Sequence, residues 1–479
     1  MRKSLPVLGL CVLLLSFGDL KAQEGFINSI VIYSTDVQQA TTAVTDTVFA
    51  VQDIVVRGNK RTRKSTILRE LPFRVSDSYR FSDITEKLEL TKRQLMNTNL
   101  FRNVTVTLRA TEENRMVVEI DVEEKWYFYP QPFVRIANGT FSQWNERGRP
   151  LEHLNYGLKL TQYNFSGRGD KAHIHLADGY TKKITLQYQG FYFDKDLKWA
   201  GNVMLTHGKN RELNYITQNN KLLAVKNPDG YLYEFYQGSF DVIYRPAIKT
   251  RQQFSIGYNY NRVGDTVIRL NENYSPANNT YSYPYISYGV SFIDYDFNFY
   301  PTRGRYADFS IMKAGIGSTI NLWQLSAKAI NYWPVGKKAY FSLRVAGMLK
   351  LPFKQPYIMQ QFMGYGEAFL QGYENYIVDG VAGGYSKQTI GYNLINTNIP
   401  LPTIKLFKSL SNIPLKLYVK AYTNEGYVHN PNPSYTNSLN NKMLYSTGVG
   451  LDIVMFTDLI FKFEWSFNQL GQNALYLHQ

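Results

Sequence analysis

Leu459-Ile460-Phe461-Lys462-Phe463-Glu464-Trp465-Ser466-Phe467 decides the fold class. In an extended chain Leu459, Phe461, Phe463, Trp465 and Phe467 fall on one side. Ile460, Lys462, Glu464 and Ser466 fall on the other. A period of two means a strand. One face is large and apolar and the other is charged, which no ordinary soluble core accommodates. A closed transmembrane β-barrel, with lipid outside and a polar lumen inside, does.

The same rhythm runs back to about Trp126. Strands are expected to begin near residues 126, 154, 169, 182, 199, 232, 250, 284, 304, 321, 337, 386, 413, 443, 458 and 473. That gives a 16-stranded antiparallel barrel over 124–479, an even number as bacterial barrels require. Tight turns at 165–168, 246–249, 300–303 and 334–336 alternate with long polar segments at 208–231, 262–283, 349–385 and 425–442. Short turns belong to the periplasmic side and long loops to the outside. The connection at 398–412 is long for a turn. Tyr and Phe number 38 and 28, which suits aromatic girdles at the membrane rims. The net charge of +15 is spread along strands rather than clustered. It therefore points to lipid head groups and a basic lumen, not to nucleic acid.

Residues 1–22 read as a secretory signal, with Arg2 and Lys3 ahead of an apolar run too short to span a membrane. The only cysteine, Cys11, lies within it, and Leu10 stands where a lipoprotein signal needs a small residue. The mature chain thus has no disulfide and no cysteine-ligated metal. A polar linker occupies 23–47, and a small α+β module is expected over 48–123. Phe49–Arg57 alternates as a strand, Gly58-Asn59 turns, and Thr66–Leu71 continues a short helix. Asp83 opens a longer helix with Glu86 as its capping box and Ile84, Leu88 and Leu95 as its buried stripe. Two strands follow, near Val104–Arg109 and Met116–Val122, for an order βααββ.

This module resembles a POTRA domain through Val55-Val56-Arg57-Gly58-Asn59, Ile67, and Asn99-Leu100-Phe101-Arg102-Asn103-Val104. The barrel resembles the outer-membrane assembly and secretion superfamily of BamA-like and TamA-like proteins and two-partner secretion translocators. Three segments carry that resemblance: Asn164-Phe165-Ser166-Gly167-Arg168-Gly169, Tyr300-Pro301-Thr302-Arg303-Gly304 and Leu370-Gln371-Gly372-Tyr373. The resemblance implies an outer-membrane location with the module in the periplasm. It implies as partners lipids, unfolded outer-membrane or secreted client chains, and periplasmic accessory lipoproteins. No cofactor is implied.

One departure bears on mechanism. In the family, an arginine of the third motif folds into the lumen and pairs with an acidic residue of a Phe-x-Asp-x-Gly segment on strand 13. Here the loop offers Gln371, and the strand reads Tyr422-Thr423-Asn424-Glu425-Gly426. Both charges are replaced together. Two amides can keep a hydrogen bond between them, so an inward loop held by a Gln371–Asn424 pair is expected.

The seam between first and last strands is expected to be weak. Pro130 and Pro132 sit in the first strand, where each lacks an N–H. The last strand, 474–479, is short, and Tyr476 stands in for a terminal aromatic. The family's proposed lateral gate lies at this place, so the expected function is insertion or translocation of client polypeptides. The alternative is a passive channel or structural barrel. An enzyme is not indicated: Gly-x-Ser-x-Gly is absent. His173 and His175 share a strand face that reads as lumen lining rather than a metal site, because Ile174 and Leu176 need the lipid side.

Overall fold

The structure, a computed structural model, describes residues 32–33, 48–111, 114–136, 148, 150–276, 279–315, 320–400, 412–455 and 459–478. The expected signal segment and most of the linker lie outside them. In the N-terminal module a five-stranded sheet runs in the order Ile32–Tyr33, Phe101–Thr111, Arg115–Glu124, Val48–Arg57, Ser78–Arg80. Helices Lys64–Leu68 and Phe81–Asn97 cover it. Ile84, Leu88 and Leu95 recur on one face of the longer helix and pack with Val51, Ile67, Val104, Val118 and Ile120 in one apolar core.

Two details differ from expectation. The three-residue strand Ser78–Arg80 lies between the helices, too short for alternation to reveal. It runs directly into the long helix, which starts at Phe81 with Arg80 as N-cap and no side-chain cap bond, so the capping box of Asp83 and Glu86 does not form. Asp83 still falls in the first turn, where its charge favours the helix's positive end.

Each expected barrel strand meets a strand of one 16-stranded antiparallel sheet, from Phe128–Ile136 to Asn473–His478. The deciding segment alternates as read: Phe463, Trp465 and Phe467 are exposed on the outer face, while Glu464 and Ser466 are buried inside. Ile174, Phe254, Ile256, Ile286 and Val345 continue the apolar outer wall. The sheet curls enough for Tyr300, between strand eight (Thr280–Tyr295) and strand nine (Gly304–Ala314), to touch Asp452 on strand fourteen (Met443–Met455). Strand fourteen lies between strand thirteen (Asn412–His429) and strand fifteen (Leu459–Asn468).

At the end far from the module, the segment 208–231 is not bare loop. It holds a hairpin, Glu212–Gln218 with Lys221–Lys226, and the segment 262–283 holds a helix, Asp265–Leu270. The strands flanking the connection near 398–412 reach into it: Ala382–Pro400 and Asn412–His429 pair from Ala382↔His429 to Pro400↔Asn412. Residues 401–411 lie outside the described part.

Candidate functional site

The free edges of the sheet come first. The first strand, Phe128–Ile136, pairs with Leu154–Tyr163 along its whole length, and the last, Asn473–His478, pairs only with Leu459–Asn468. Among the described residues no ladder joins first strand to last, so the hydrogen-bonded closure expected of a cylinder is not made there. Backbone parity gives a reason. The Tyr163 N–H donates to the Tyr127 carbonyl at 2.7 Å, so odd-numbered residues of the first strand address Leu154–Tyr163. Even-numbered residues, Pro130 and Pro132 among them, address the free edge, and neither has a hydrogen to give. The last strand offers only six residues in return.

Next to this seam the long loop between Ala339–Leu351 and Ala382–Pro400 folds into the lumen. Leu370 is fully buried, and its Cδ1 lies against Gly426, where a Cβ would approach to 2.8 Å. Gly372 adopts φ +89°, and its carbonyl accepts from Asn468 Nδ2 at 2.7 Å. A side chain there would meet Ser446 and Ser466. Tyr373 is buried, and its hydroxyl donates to the Tyr445 carbonyl.

The expected Gln371–Asn424 pair is not what holds this loop. Gln371 Nε2 donates to Glu464 Oε1 at 3.1 Å, and Asn424 Nδ2 donates to Ser446 Oγ at 2.9 Å. Each amide has found a nearer acceptor, and Gln371 Oε1 and Asn424 Oδ1 are left buried without a hydrogen bond. Glu464 belongs to a chain of buried polar groups. Lys420 Nζ lies 2.5 Å from Glu464 Oε1 and 2.7 Å from Asp452 Oδ1. Asp452 Oδ2 accepts from the Tyr300 hydroxyl, which also bonds Tyr340. The chain thus links the loop to strands thirteen, fourteen and fifteen and to the Tyr300-Pro301-Thr302-Arg303-Gly304 turn. That turn is fixed by the Asp296 carboxylate, which accepts from the Thr302 N–H and hydroxyl. The Arg303 carbonyl takes the Asp296 N–H, and Gly304 has φ +115°.

The other glycine-rich turn is the seat of the module. The Gly167 carbonyl accepts from the Arg63 N–H at 2.9 Å and from the Thr66 hydroxyl at 3.0 Å. Gly167, at φ +82°, leaves room for the Arg61 carbonyl, which a Cβ would approach to 2.5 Å. Arg61 donates to the carbonyls of Asn164 and Phe165, and Asn164 Oδ1 accepts from the Gly169 N–H, closing the turn. Across the mouth, Arg245 forks onto Glu70 with two bonds of 2.6 Å, and Arg93 lies 3.8 Å from Asp294. Burial alone would raise the Glu70 carboxyl, but Arg245 and Arg69 outweigh it and hold the group below its ordinary value.

Comparison with known proteins follows from this geometry. Residues 164–455, more than half of the chain, match the Omp85 superfamily domain. The chain belongs to the Omp85 superfamily. Residues 49–125 of this Omp85-superfamily protein match POTRA, described as the surface antigen variable number repeat. The barrel of such a chain is an outer-membrane barrel. Among solved structures it is similar to CdiB from Escherichia coli, with 10% identity, a TM-score of 0.54, and 90% of this chain and 75% of that one covered. It is also similar to BamA from Haemophilus ducreyi lacking POTRA domains 1–3, with 16% identity, TM-score 0.48 and coverage of 90% and 83%. CdiB from Acinetobacter baumannii gives 11%, 0.48, 90% and 72%. No curated protein matches the chain.

Sequence reasoning missed Lys420, Asp452, Glu374 and His478, and used Glu464 only as a polar face. Strand alternation marked Lys420, Asp452 and His478 as inward, and Glu374 lies in a loop without alternation; nothing local marked any of them as neighbours. His173 and His175 do line the inside. His173 Nδ1 bonds the Thr161 hydroxyl, and His175 packs edge-on to Phe133. Among the described residues neither joins a group able to hold a metal.

Proposed function

We propose that this Omp85-superfamily barrel inserts or translocates client polypeptides at the outer membrane, with the seam between first and last strands as its lateral gate. The N-terminal module lies on the periplasmic side and receives clients or accessory lipoproteins. The activity is not enzymatic and uses no cofactor. The observation that carries the reading is that, among the described residues, no ladder joins the first strand to the last, and the first carries two prolines. A free strand edge inside a membrane is costly unless something pairs with it, and an extended client supplies that pairing by main-chain bonds. The module supports the same chemistry. Ile32 and Tyr33 already lie parallel along Phe101–Thr111, with Ile32 opposite Leu108, so this edge accepts an extended chain.

A passive channel needs an open bore. Here the loop residues Leu370–Tyr373 and the Lys420–Asp452–Glu464 cluster occupy it. The test is a disulfide across the seam, with cysteines at Gln131 or Phe133 paired with cysteines at Ala474 or Tyr476, all on the lumen face. Oxidation should stop client insertion into lipid vesicles, and reductant should restore it. Insertion at an undiminished rate by the locked barrel removes the gate. Recovery of no outer-membrane chain from a crosslinked membrane removes the client reading altogether.

A further inference from the structure

Three metal-ligating side chains converge on the inner face of the last strand. Glu374 comes from the inward loop, Glu464 from strand Leu459–Asn468 and His478 from strand Asn473–His478. One donor atom from each lies within 4.8 Å of the other two. His478 Nε2 is 3.4 Å from Glu374 Oε1 and 3.3 Å from Glu464 Oε2. A tetrahedral ion with bonds of about 2.0–2.1 Å sets its ligand atoms about 3.3 Å apart.

The remaining oxygens of both carboxylates are already engaged, which fixes the free ones. Glu374 Oε2 accepts from the Gly372 N–H at 2.7 Å, and Glu464 Oε1 accepts from Gln371 and Lys420. Orienting bonds of this kind are what metal-binding carboxylates need. The His478 ring stacks on Phe369 with centroids 5.1 Å apart. Beside the cluster, Gln371 donates to Glu464 Oε1, and its own Oε1 is buried and accepts nothing. Water on the open position of a bound ion is the kind of donor it lacks.

We propose that Glu374, Glu464 and His478 form a three-ligand site for a divalent transition ion of the zinc class, which ties the lumen loop to the last strand. Lys420 is shared between Asp452 and Glu464, so it offsets only part of the charge the two carboxylates offer the ion. Lys462, opposite His478 in register, and Lys387, over the Phe369 ring, oppose it. Both lower the affinity for a cation.

The test uses the full-length protein in detergent, stripped with chelator and titrated with zinc chloride. One ion per chain should bind saturably, with X-ray absorption showing only nitrogen and oxygen ligands at about 2.0 Å. E374Q and H478Q should each weaken binding by about tenfold or more, and E425Q should leave it unchanged. Absence of stoichiometric binding, or equal binding by the parent, E374Q and H478Q, overturns the proposal. Retention of the parent's compact electrophoretic form by H478Q guards against a folding defect; the folded variant should still bind zinc about tenfold or more weakly, and binding at the parent's affinity overturns the proposal.

Discussion

At the scale of single residues, Glu70 and Arg245 are the pair whose loss the molecule should feel most. Both are nearly buried where the module meets the barrel, at 4% and 9% side-chain exposure. Removing one partner of such a pair leaves a charge without compensation, at a cost of about 3–5 kcal/mol. E70Q should therefore loosen the module from the barrel, seen as a broadened spin-label distance between residues 87 and 249. E70Q/R245M should recover part of the loss. The sign of the pH dependence follows from the lowered Glu70 value. A depressed folded pKa means the contribution is whole above the ordinary 4.5 and fades as pH falls through the lower folded value. The same distance should stay sharp at neutral pH and broaden only below about 4.5. A distance insensitive to both E70Q and acid would exclude the ion pair as the clamp. Glu70 and Arg245 were each readable only as isolated charges, 175 positions apart.

At the scale of elements, the first strand and the inward loop were legible to different degrees. Pro130 and Pro132 announced an impaired strand because a missing N–H is a property of the residue alone. Which edge they impair required the ladder: Tyr127 and Tyr163 fix the parity that turns both prolines to the seam. P130V/P132V restores two donors there. At about 0.5–1.5 kcal/mol per hydrogen bond, the seam should gain about 1–3 kcal/mol. The expected result is a higher temperature for loss of the compact electrophoretic form and slower client insertion. Unchanged insertion with a raised transition temperature would separate stability from gating. For the loop, the motif at 370–373 placed the turn inside, but its anchor was misread. Gln371 and Asn424 were matched as a swapped pair, whereas the buried Glu464 and Ser446 stand nearer to their amides. G372A tests how tightly the loop is held. A side chain at φ +89° costs about 1–2 kcal/mol, and its Cβ would press on Ser446 and Ser466. The loop should become protease-sensitive while the strands stay protected.

At the scale of the whole molecule, the 370–373 loop lies within the lumen and the module contacts the barrel at one mouth. Arg61 and Arg63 bind the 164–167 turn, Arg245 grips Glu70, and Arg93 approaches Asp294 on the strand ahead of the Tyr300 turn. Conductance in planar bilayers should accordingly be small. It should rise severalfold when residues 366–375 are excised; a large, steady conductance in the intact protein would favour a passive channel. The sequence by itself determined the sixteen strands, their lipid and lumen faces and the small α+β unit before them. It could do so because a period of two, a glycine turn and an amphipathic helix are local properties that a side chain carries along the chain. Packing alone brings Lys420, Asp452, Glu464, Glu374 and His478 together, seats the module on the Gly167 turn, and leaves first and last strands without a shared ladder among the described residues. The register of neighbouring strands sets Lys420 and Glu464 both opposite Gly450, and the folding of the loop and the docking of the module bring in the rest. Alternation says which side a residue faces, and the curl and stagger of the strands say what it meets there.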